Sequence, residues 1–181
     1  MDASNLWIFG YGSLMWNPGF PFSEKKLATL PGYVRSFCMR SIHHRGTEEN
    51  PGLVLALDAH EGAFCQGLAF RVREDTAEQT MAYLRERELI SSAYLERVHT
   101  VHLEGGQSVP AVCYVVDTDH NQYCGNLPLS EQATIIEKSE GGRGPNSEYL
   151  FNTADHLGEL GIEDSDLDWL SAEVRRMRET G

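Results

Sequence analysis

The first regular element of the chain is predicted in the segment Leu6-Trp7-Ile8-Phe9-Gly10-Tyr11-Gly12-Ser13. Its four leading apolar residues are typical of a buried strand, and the glycines that follow predict a tight turn at the end of that strand. Glycine lets the backbone turn sharply and brings N–H groups close to a ligand. Such a turn can hold a carboxylate or an oxyanion, and it can equally be a turn without a ligand. It is not a dinucleotide fingerprint, because Met15 takes the place of the third glycine.

The rest of the chain continues this pattern of strands before helices. Further strands are predicted at 32–42, 53–57, 63–72, 98–103 and 109–116, with a hairpin signal at 104–108. Helices are predicted at 75–88, 130–139, 146–160 and 165–178. Because a single helix interrupts the strands, the order favours an α+β fold with a mostly antiparallel sheet or small barrel. The length of 181 residues predicts one domain over 1–181.

The composition limits the class of partner. The 27 acidic and 15 basic residues leave a formal net charge of −12. Such a surface repels phosphate backbones, so neither nucleic acid nor an anionic membrane is expected as a partner. A small anionic substrate stays possible, since a local pocket can oppose the global field.

Cysteine usage and the start of the chain predict a cytoplasmic protein. No apolar run approaches the roughly 18 residues of a membrane span, and the first residues lack the features of a secretory signal. The four cysteines are far apart in the sequence, which is typical of reduced thiols: Cys38, Cys65, Cys113 and Cys124.

The predicted helix at 75–88 carries the most informative residue. Ala77, Met81 and Leu84 recur at spacings that form one apolar stripe. At about 100° per residue, Glu88 falls within that stripe, whereas Glu86 points to the opposite side. A carboxylate facing the interior is costly unless it is partnered or its pKa rises, and a raised pKa suits a general acid/base. The alternative is that the helix has ended and Glu88 pairs with an arginine at the surface.

Two later segments offer further candidates. Arg45 follows His43-His44 at the end of a predicted strand and is either a ligand for a substrate carboxylate or a surface arginine. The glycine-rich segment 141–149 is either a plain loop or a rim over a pocket with Tyr149 facing inward, and Asn146 is its predicted helix N-cap. Ser130 is a second predicted N-cap. The histidines show no spacing typical of a metal site, so no metal is expected.

Several motifs taken together resemble the ChaC-like γ-glutamylcyclotransferases. The resemblance covers nearly the whole chain and begins with residues 7–18, Trp-Ile-Phe-Gly-Tyr-Gly-Ser-Leu-Met-Trp-Asn-Pro. It continues through the segments 30–33, 44–47, 51–53, 67–72, 83–88 and 144–150. Two departures are His43, where the family often has Asp, and a longer segment at 89–94.

The resemblance implies a mixed, mostly antiparallel β-barrel with surrounding helices, and a reaction without cofactor or metal. In that reaction the α-amine of a γ-glutamyl group attacks its own γ-carbonyl, so that glutathione gives 5-oxoproline and Cys-Gly. The family's catalytic glutamate maps onto Glu88. The implied substrate-binding residues are Ile8, Phe9, Gly10, Tyr11, Gly12, Ser13, Leu14, Arg45 and Tyr149. Two alternatives stay open: a cyclotransferase for other γ-glutamyl amino acids or amines, and a non-catalytic module that binds a γ-glutamyl ligand.

Overall fold

The computed structural model describes residues 3–89 and 93–180. The strands of the described part are β1 (Trp7–Gly10), β2 (Phe22–Ser41), β3 (Gly52–Val72), β4 (Tyr94–Leu103), β5 (Ser108–Val116), β6 (Glu140–Gly141) and β7 (Gly144–Pro145). The α-helices are α1 (Ala77–Leu89), α2 (Leu129–Lys138), α3 (Asn146–Glu159) and α4 (Ser165–Thr180). Three short 3-10 turns lie at Ala3–Asn5, Ser13–Met15 and Glu74–Thr76.

Five strands close a barrel in the order β1-β3-β2-β4-β5. β1 pairs antiparallel with β3, and β4 pairs antiparallel with both β2 and β5. The barrel is mixed, because β1 runs parallel to β5, with Ile8 opposite Val112. The predicted α+β class with a mixed, mostly antiparallel barrel is confirmed.

The chain forms two compact units. The first comprises Met1–Arg35 and Ala56–His120, and the second comprises Ser36–Leu55 and Asn121–Gly181. β2 and β3 contribute residues to both units. The assignment of 1–181 to a single domain stays a prediction.

The core of the first unit follows from the two-residue period of its strands. Trp7 and Phe9 of β1 belong to the same buried cluster as Ala111 and Cys113 of β5, at alternate positions along each strand. Tyr11 continues the β1 series and packs against this cluster as a partly buried residue. The alternation therefore places the glycine turn directly at the end of a well-packed strand.

Two strands are longer than predicted because glycines inside them adopt positive φ. β2 was expected to start at residue 32, but it includes Pro31 and Gly32, whose φ is +86°. Two separate strands were expected within β3, but the chain continues through Gly62 with a φ of +85°. Glycine adopts such angles without the steric cost of a side chain, so a residue that usually ends a strand does not end these two.

The second unit contains α2, α3 and α4, whose apolar faces supply its core, including Ile136, Leu157 and Leu170. Both predicted N-caps in this unit are wrong. α2 begins one residue before Ser130, and the capping position is Pro128. No helix in the described residues is long and apolar enough to cross a membrane.

The residue at the cap position of α3 is Pro145, so Asn146 is the first residue of that helix. The Asn146 side chain instead bonds a neighbouring strand. Its Oδ1 accepts from the Leu53 N–H at 2.8 Å, and its Nδ2 donates to the Leu53 carbonyl at 2.8 Å. The Asn146 side-chain amide therefore makes a tertiary contact with Leu53 instead of capping α3.

Candidate active site

Glu88 lies on the inner face of α1, as predicted. The helix continues to Leu89, and its buried positions include Ala77 and Leu84 on the same face. Only 17% of the Glu88 side chain is exposed, whereas Glu86 is exposed. The alternative that the helix ends before Glu88 is wrong, although the arginine pairing that it anticipated does exist.

Burial and a neighbouring cation act on the Glu88 carboxyl in opposite directions. Burial raises its pKa, and the charge of Arg87 partly lowers it. Arg87 Nε lies 3.3 Å from Glu88 Oε1. Because burial is the larger effect, the pKa stays above its ordinary value, as a group that must both accept and donate a proton requires.

The glycine turn at 10–13 leads into the 3-10 turn Ser13–Met15. The Met15 N–H donates to the Gly12 carbonyl at 2.9 Å, and the Asn17 N–H donates to the Ser13 carbonyl at 2.8 Å. Among the described residues, the backbone–backbone hydrogen bonds outside helices and strands include none from the N–H groups of Gly12, Ser13 and Leu14. The turn therefore presents backbone donors at the end of β1.

The first two residues of the predicted substrate loop contribute no accessible side chain. Ile8 and Phe9 are 0% and 1% exposed, and Phe9 belongs to the buried barrel cluster. Gly10 packs closely on the turn that follows, since a Cβ at Gly10 would lie 3.1 Å from Leu14 Cβ. Ile8, Phe9 and Gly10 can therefore contact a ligand only through their backbone.

Arg87 joins α1 to the glycine turn. Its Nη2 donates to Ser13 Oγ at 3.0 Å, and its Nη1 donates to the Asn17 carbonyl at 2.7 Å. The same Nη1 also contacts the Pro18 carbonyl at 3.3 Å and Tyr83 Oη at 3.0 Å. The structure thus brings Glu88 and the turn residues together within the first unit.

Arg35 is a buried cation that the sequence analysis missed. It is 7% exposed, its Nε donates to the Tyr11 carbonyl at 2.7 Å, and its Nη2 donates to the Gln66 carbonyl. In a trans peptide the carbonyl and the next N–H point in opposite directions, so Arg35 also orients the Gly12 N–H. The sequence does contain a signal for Arg35: it alternates with Tyr33 and Phe37 along a predicted strand, and alternate residues of a strand lie on the same face.

Arg45 and Tyr149 lie in the second unit, where they contact each other. The Arg45 guanidinium carbon lies 5.6 Å from the centre of the Tyr149 ring. Arg45 Nη1 donates to the Pro145 carbonyl at 3.0 Å and lies 3.8 Å from Glu148 Oε2. Tyr149 Oη accepts from the Leu55 N–H at 3.2 Å. Both side chains therefore make structural contacts within their unit.

The glycine-rich segment before Tyr149 is a short hairpin of β6 and β7 bound to the turn at 43–46. The Gly142 N–H donates to the His43 carbonyl at 2.7 Å, and the Arg143 N–H donates to the His44 carbonyl at 2.9 Å. Within residues 3–89 and 93–180, no group of three or more His, Cys, Asp or Glu side chains could hold a metal ion. Of the longer segment at 89–94, residues 90–92 lie outside the described residues.

Comparison with known proteins identifies the family. A family model described as "ChaC-like protein" matches residues 6–177. The chain belongs to the ChaC-like family. The resemblance that the motifs suggested is thereby confirmed.

Proteins whose names state an activity match over nearly the whole chain. A glutathione-specific γ-glutamylcyclotransferase of Escherichia coli K12 is 38% identical over 176 residues, which are 97% of this chain and 75% of that protein. Gamma-glutamylcyclotransferase 2-3 of Arabidopsis thaliana is 35% identical over 182 residues, covering 95% of this chain and 89% of that protein. The crystal structure of a yeast γ-glutamyl cyclotransferase specific to glutathione superposes with a TM-score of 0.84 at 25% identity, covering 97% of this chain and 100% of that one.

Proposed function

We propose that this chain is a γ-glutamylcyclotransferase that converts glutathione into 5-oxoproline and Cys-Gly, with Glu88 as the general acid/base. The observation that carries the proposal is the Glu88 carboxyl, which is mostly buried, has a raised pKa and is joined through Arg87 to the donor-rich turn. Glutathione is named as the substrate of the Escherichia coli and yeast relatives. An enzyme of this class acts on a small molecule.

The reaction exchanges one amide for another. The α-amine of the γ-glutamyl group forms a bond to the γ-carbonyl carbon, and the bond from that carbon to the cysteinyl nitrogen breaks. The attacking amine is an ammonium at neutral pH and loses two protons on its way to the lactam N–H, while the departing amide nitrogen gains two on its way to an ammonium. Glu88 takes each proton from the attacking nitrogen and passes it to the departing nitrogen. No water and no cofactor enters this balance. A positioned acid/base typically contributes about 10²–10⁴-fold in rate.

Binding of the γ-glutamyl end is assigned to the glycine turn. The donors of Gly12, Ser13 and Leu14 suit a carboxylate or the oxyanion that forms at the attacked carbonyl. Holding the amine and the carbonyl in a near-attack geometry adds to the acid/base effect. Tyr11, Arg45 and Tyr149 stay predicted binding residues. A substrate carboxylate at Arg45 would have to compete with its contacts to Pro145 and Glu148.

The proposed location is the cytoplasm. Among the described residues, none of the four cysteines forms a disulfide, and reduced thiols persist in reducing compartments. The acidic charge favours a small-molecule substrate over nucleic acid or membrane as partner.

The test is the identity of the products. Purified protein is incubated with glutathione, and separately with γ-glutamyl-alanine, and 5-oxoproline, Cys-Gly and free glutamate are followed by mass spectrometry. We expect 5-oxoproline and Cys-Gly in equal amounts, with turnover far above that of γ-glutamyl-alanine. Free glutamate in place of 5-oxoproline would exclude intramolecular aminolysis. Equal use of both substrates would favour the broader cyclotransferase, and no product from either would favour the binding module.

A further inference from the structure

We propose that Arg87 is a positioning residue that holds the glycine turn at a fixed distance from Glu88, so that a bound γ-glutamyl group meets the acid/base. This inference rests on the proposed function. It concerns a side chain that touches the turn and Glu88 at once and that none of the proposed steps uses.

The geometry of the Arg87 guanidinium carries the inference. Its three nitrogens face three different groups: Nε faces Glu88 Oε1, Nη2 donates to Ser13 Oγ, and Nη1 donates to the Asn17 carbonyl. A planar guanidinium has five donors in a fixed fork, whereas a lysine ammonium is a single point charge. Arg87 can therefore fix the direction of the turn as well as its distance from α1.

The segment that follows the glycine turn is packed on the same side of α1. Tyr83 lies one helical turn before Arg87, and its hydroxyl accepts from Arg87 Nη1 at 3.0 Å. Gly19 lies so close that a Cβ there would be 2.1 Å from Tyr83 Oη, and its φ is +77°. Residues 13–19 therefore lie along the face formed by Tyr83 and Arg87, which leaves little freedom for the turn to move away from the helix.

The positive charge of Arg87 also lowers the pKa of Glu88. Among the described residues, Arg87 on the same helix and Tyr114 on β5 interact electrostatically with Glu88. The pKa of Tyr114 is raised chiefly by burial, and Glu96 and Glu88 raise it further. On β4, both carboxylate oxygens of Glu96 accept hydrogen bonds from Arg85 at 3.1 Å, so the charge of Arg85 balances that of Glu96. Removing the charge of Arg87 therefore removes an effect that lowers the pKa of Glu88, and this pKa rises further.

The experiment compares Arg87→Met, Arg87→Lys, Ser13→Ala and the double variant Ser13→Ala/Arg87→Met with wild type. The matched control is Arg73→Met, which removes an exposed arginine that pairs with Asp75 outside α1. For each protein, kcat/KM for glutathione is measured across pH, folding is checked by thermal unfolding, and the Glu88 carboxyl is titrated by NMR without substrate.

We expect Arg87→Met to lower kcat/KM by about 10- to 100-fold, the range for hydrogen bonds to a charged group, and to move the acidic limb of the profile to higher pH. Arg87→Lys restores the position of that limb but only part of the rate, since it restores the charge and not the fork. Ser13→Ala lowers the rate without moving the limb. In the double variant the combined loss is smaller than the product of the two single losses, because Arg87 acts partly through Ser13.

The outcomes separate this inference from the proposed function. If wild type converts glutathione and Arg87→Met keeps its rate and pH profile within twofold, the positioning role is overturned. If Arg87→Met is unfolded, the comparison of Arg87→Lys with wild type decides: full activity in the lysine variant overturns the role of the fork. If wild type forms no product, the proposed function fails, and the NMR titration still tests the contact, because an unchanged Glu88 pKa in Arg87→Met contradicts it.

Discussion

At the residue scale, the same burial that suits Glu88 to acid/base chemistry works against the stability of the fold. A carboxyl with a raised pKa binds its proton more tightly in the folded than in the unfolded chain. The stability that this provides is fully present below the ordinary pKa of 4.5, and it is lost as pH rises through the raised value. Near neutral pH the folded protein therefore carries the cost of an ionised, mostly buried group.

We therefore expect Glu88→Gln to stabilise the protein near neutral pH. Glutamine has a similar shape but no charge, so the Tm difference between the variant and wild type should be positive and should grow as the pH rises from 4.5 through the raised pKa of Glu88. Thermal unfolding at several pH values measures it. Glu86→Gln, on the exposed side of the same helix, serves as the control and should show little pH-dependent difference. A Tm difference for Glu88→Gln that is constant with pH would show that burial of this carboxylate has no cost.

The sequence predicts some residues of the site better than others for a physical reason. Glu88 could be found because helical periodicity places it on the face of Ala77 and Leu84, which is a local property. Ser13 and Asn17, to which Arg87 donates, lie about 70 positions away in the chain, and no local pattern reveals these contacts. Arg35 was missed because its acceptors are backbone carbonyls, which every residue has.

At the scale of elements, the β6–β7 hairpin depends on the absence of a side chain at Gly141. A Cβ there would lie 2.5 Å from the Gly46 nitrogen and 2.6 Å from the His44 carbonyl carbon. These are backbone atoms that cannot rotate away. At Gly141 the hairpin and the turn at 43–46 therefore pack main chain against main chain.

Gly141→Ala should consequently destabilise the protein by about 1–3 kcal/mol, the usual cost of overpacking. For a chain of this size that lowers Tm by about 2–4 °C per kcal/mol. The matched control is Gly158→Ala within α3, where a Cβ meets nothing within 4 Å, and where alanine should add about 0.5–1 kcal/mol of stability. Equal Tm values for the two variants would contradict the close packing of the hairpin.

Elements were predicted well where local pattern and tertiary structure agree. The hairpin of β4 and β5 follows from its glycine turn, and Gly105 and Gly106 do adopt positive φ. Predictions were wrong where a tertiary contact overrides a local preference, as with Asn146, which bonds Leu53 instead of capping α3. Strand ends were wrong where Gly32 and Gly62 continue a strand instead of ending it.

At the scale of the whole molecule, the order of strands before helices was sufficient to predict an α+β fold with a mostly antiparallel sheet or a small barrel. The closure of that barrel depends on the parallel pair of β1 and β5, which joins residues more than 100 positions apart, such as Ile8 and Val112. Periodicity in one sequence does not reveal such a pairing. The mixed barrel itself was predicted from the resemblance to the family, which did not specify this pairing.

The net charge of −12 predicts how the molecule as a whole responds to salt. Glutathione carries one more carboxylate than ammonium, so the long-range field repels it. Raising the ionic strength from about 10 mM to about 150 mM screens that repulsion, and kcat/KM should rise while kcat stays constant. Initial rates at several salt concentrations measure this, and a fall in kcat/KM would mean that local positive charge dominates the approach of the substrate.

The most direct test of the central claim is the rate of 5-oxoproline formation from glutathione by wild type, Glu88→Gln and Glu86→Gln, together with calorimetric binding of glutathione to each. We predict that Glu88→Gln still binds glutathione but loses turnover by at least about 10²-fold, because the substitution removes the group that moves the protons. Glu86→Gln should match wild type in both measurements. A Glu88→Gln variant with wild-type turnover would contradict the assignment of Glu88 as the general acid/base.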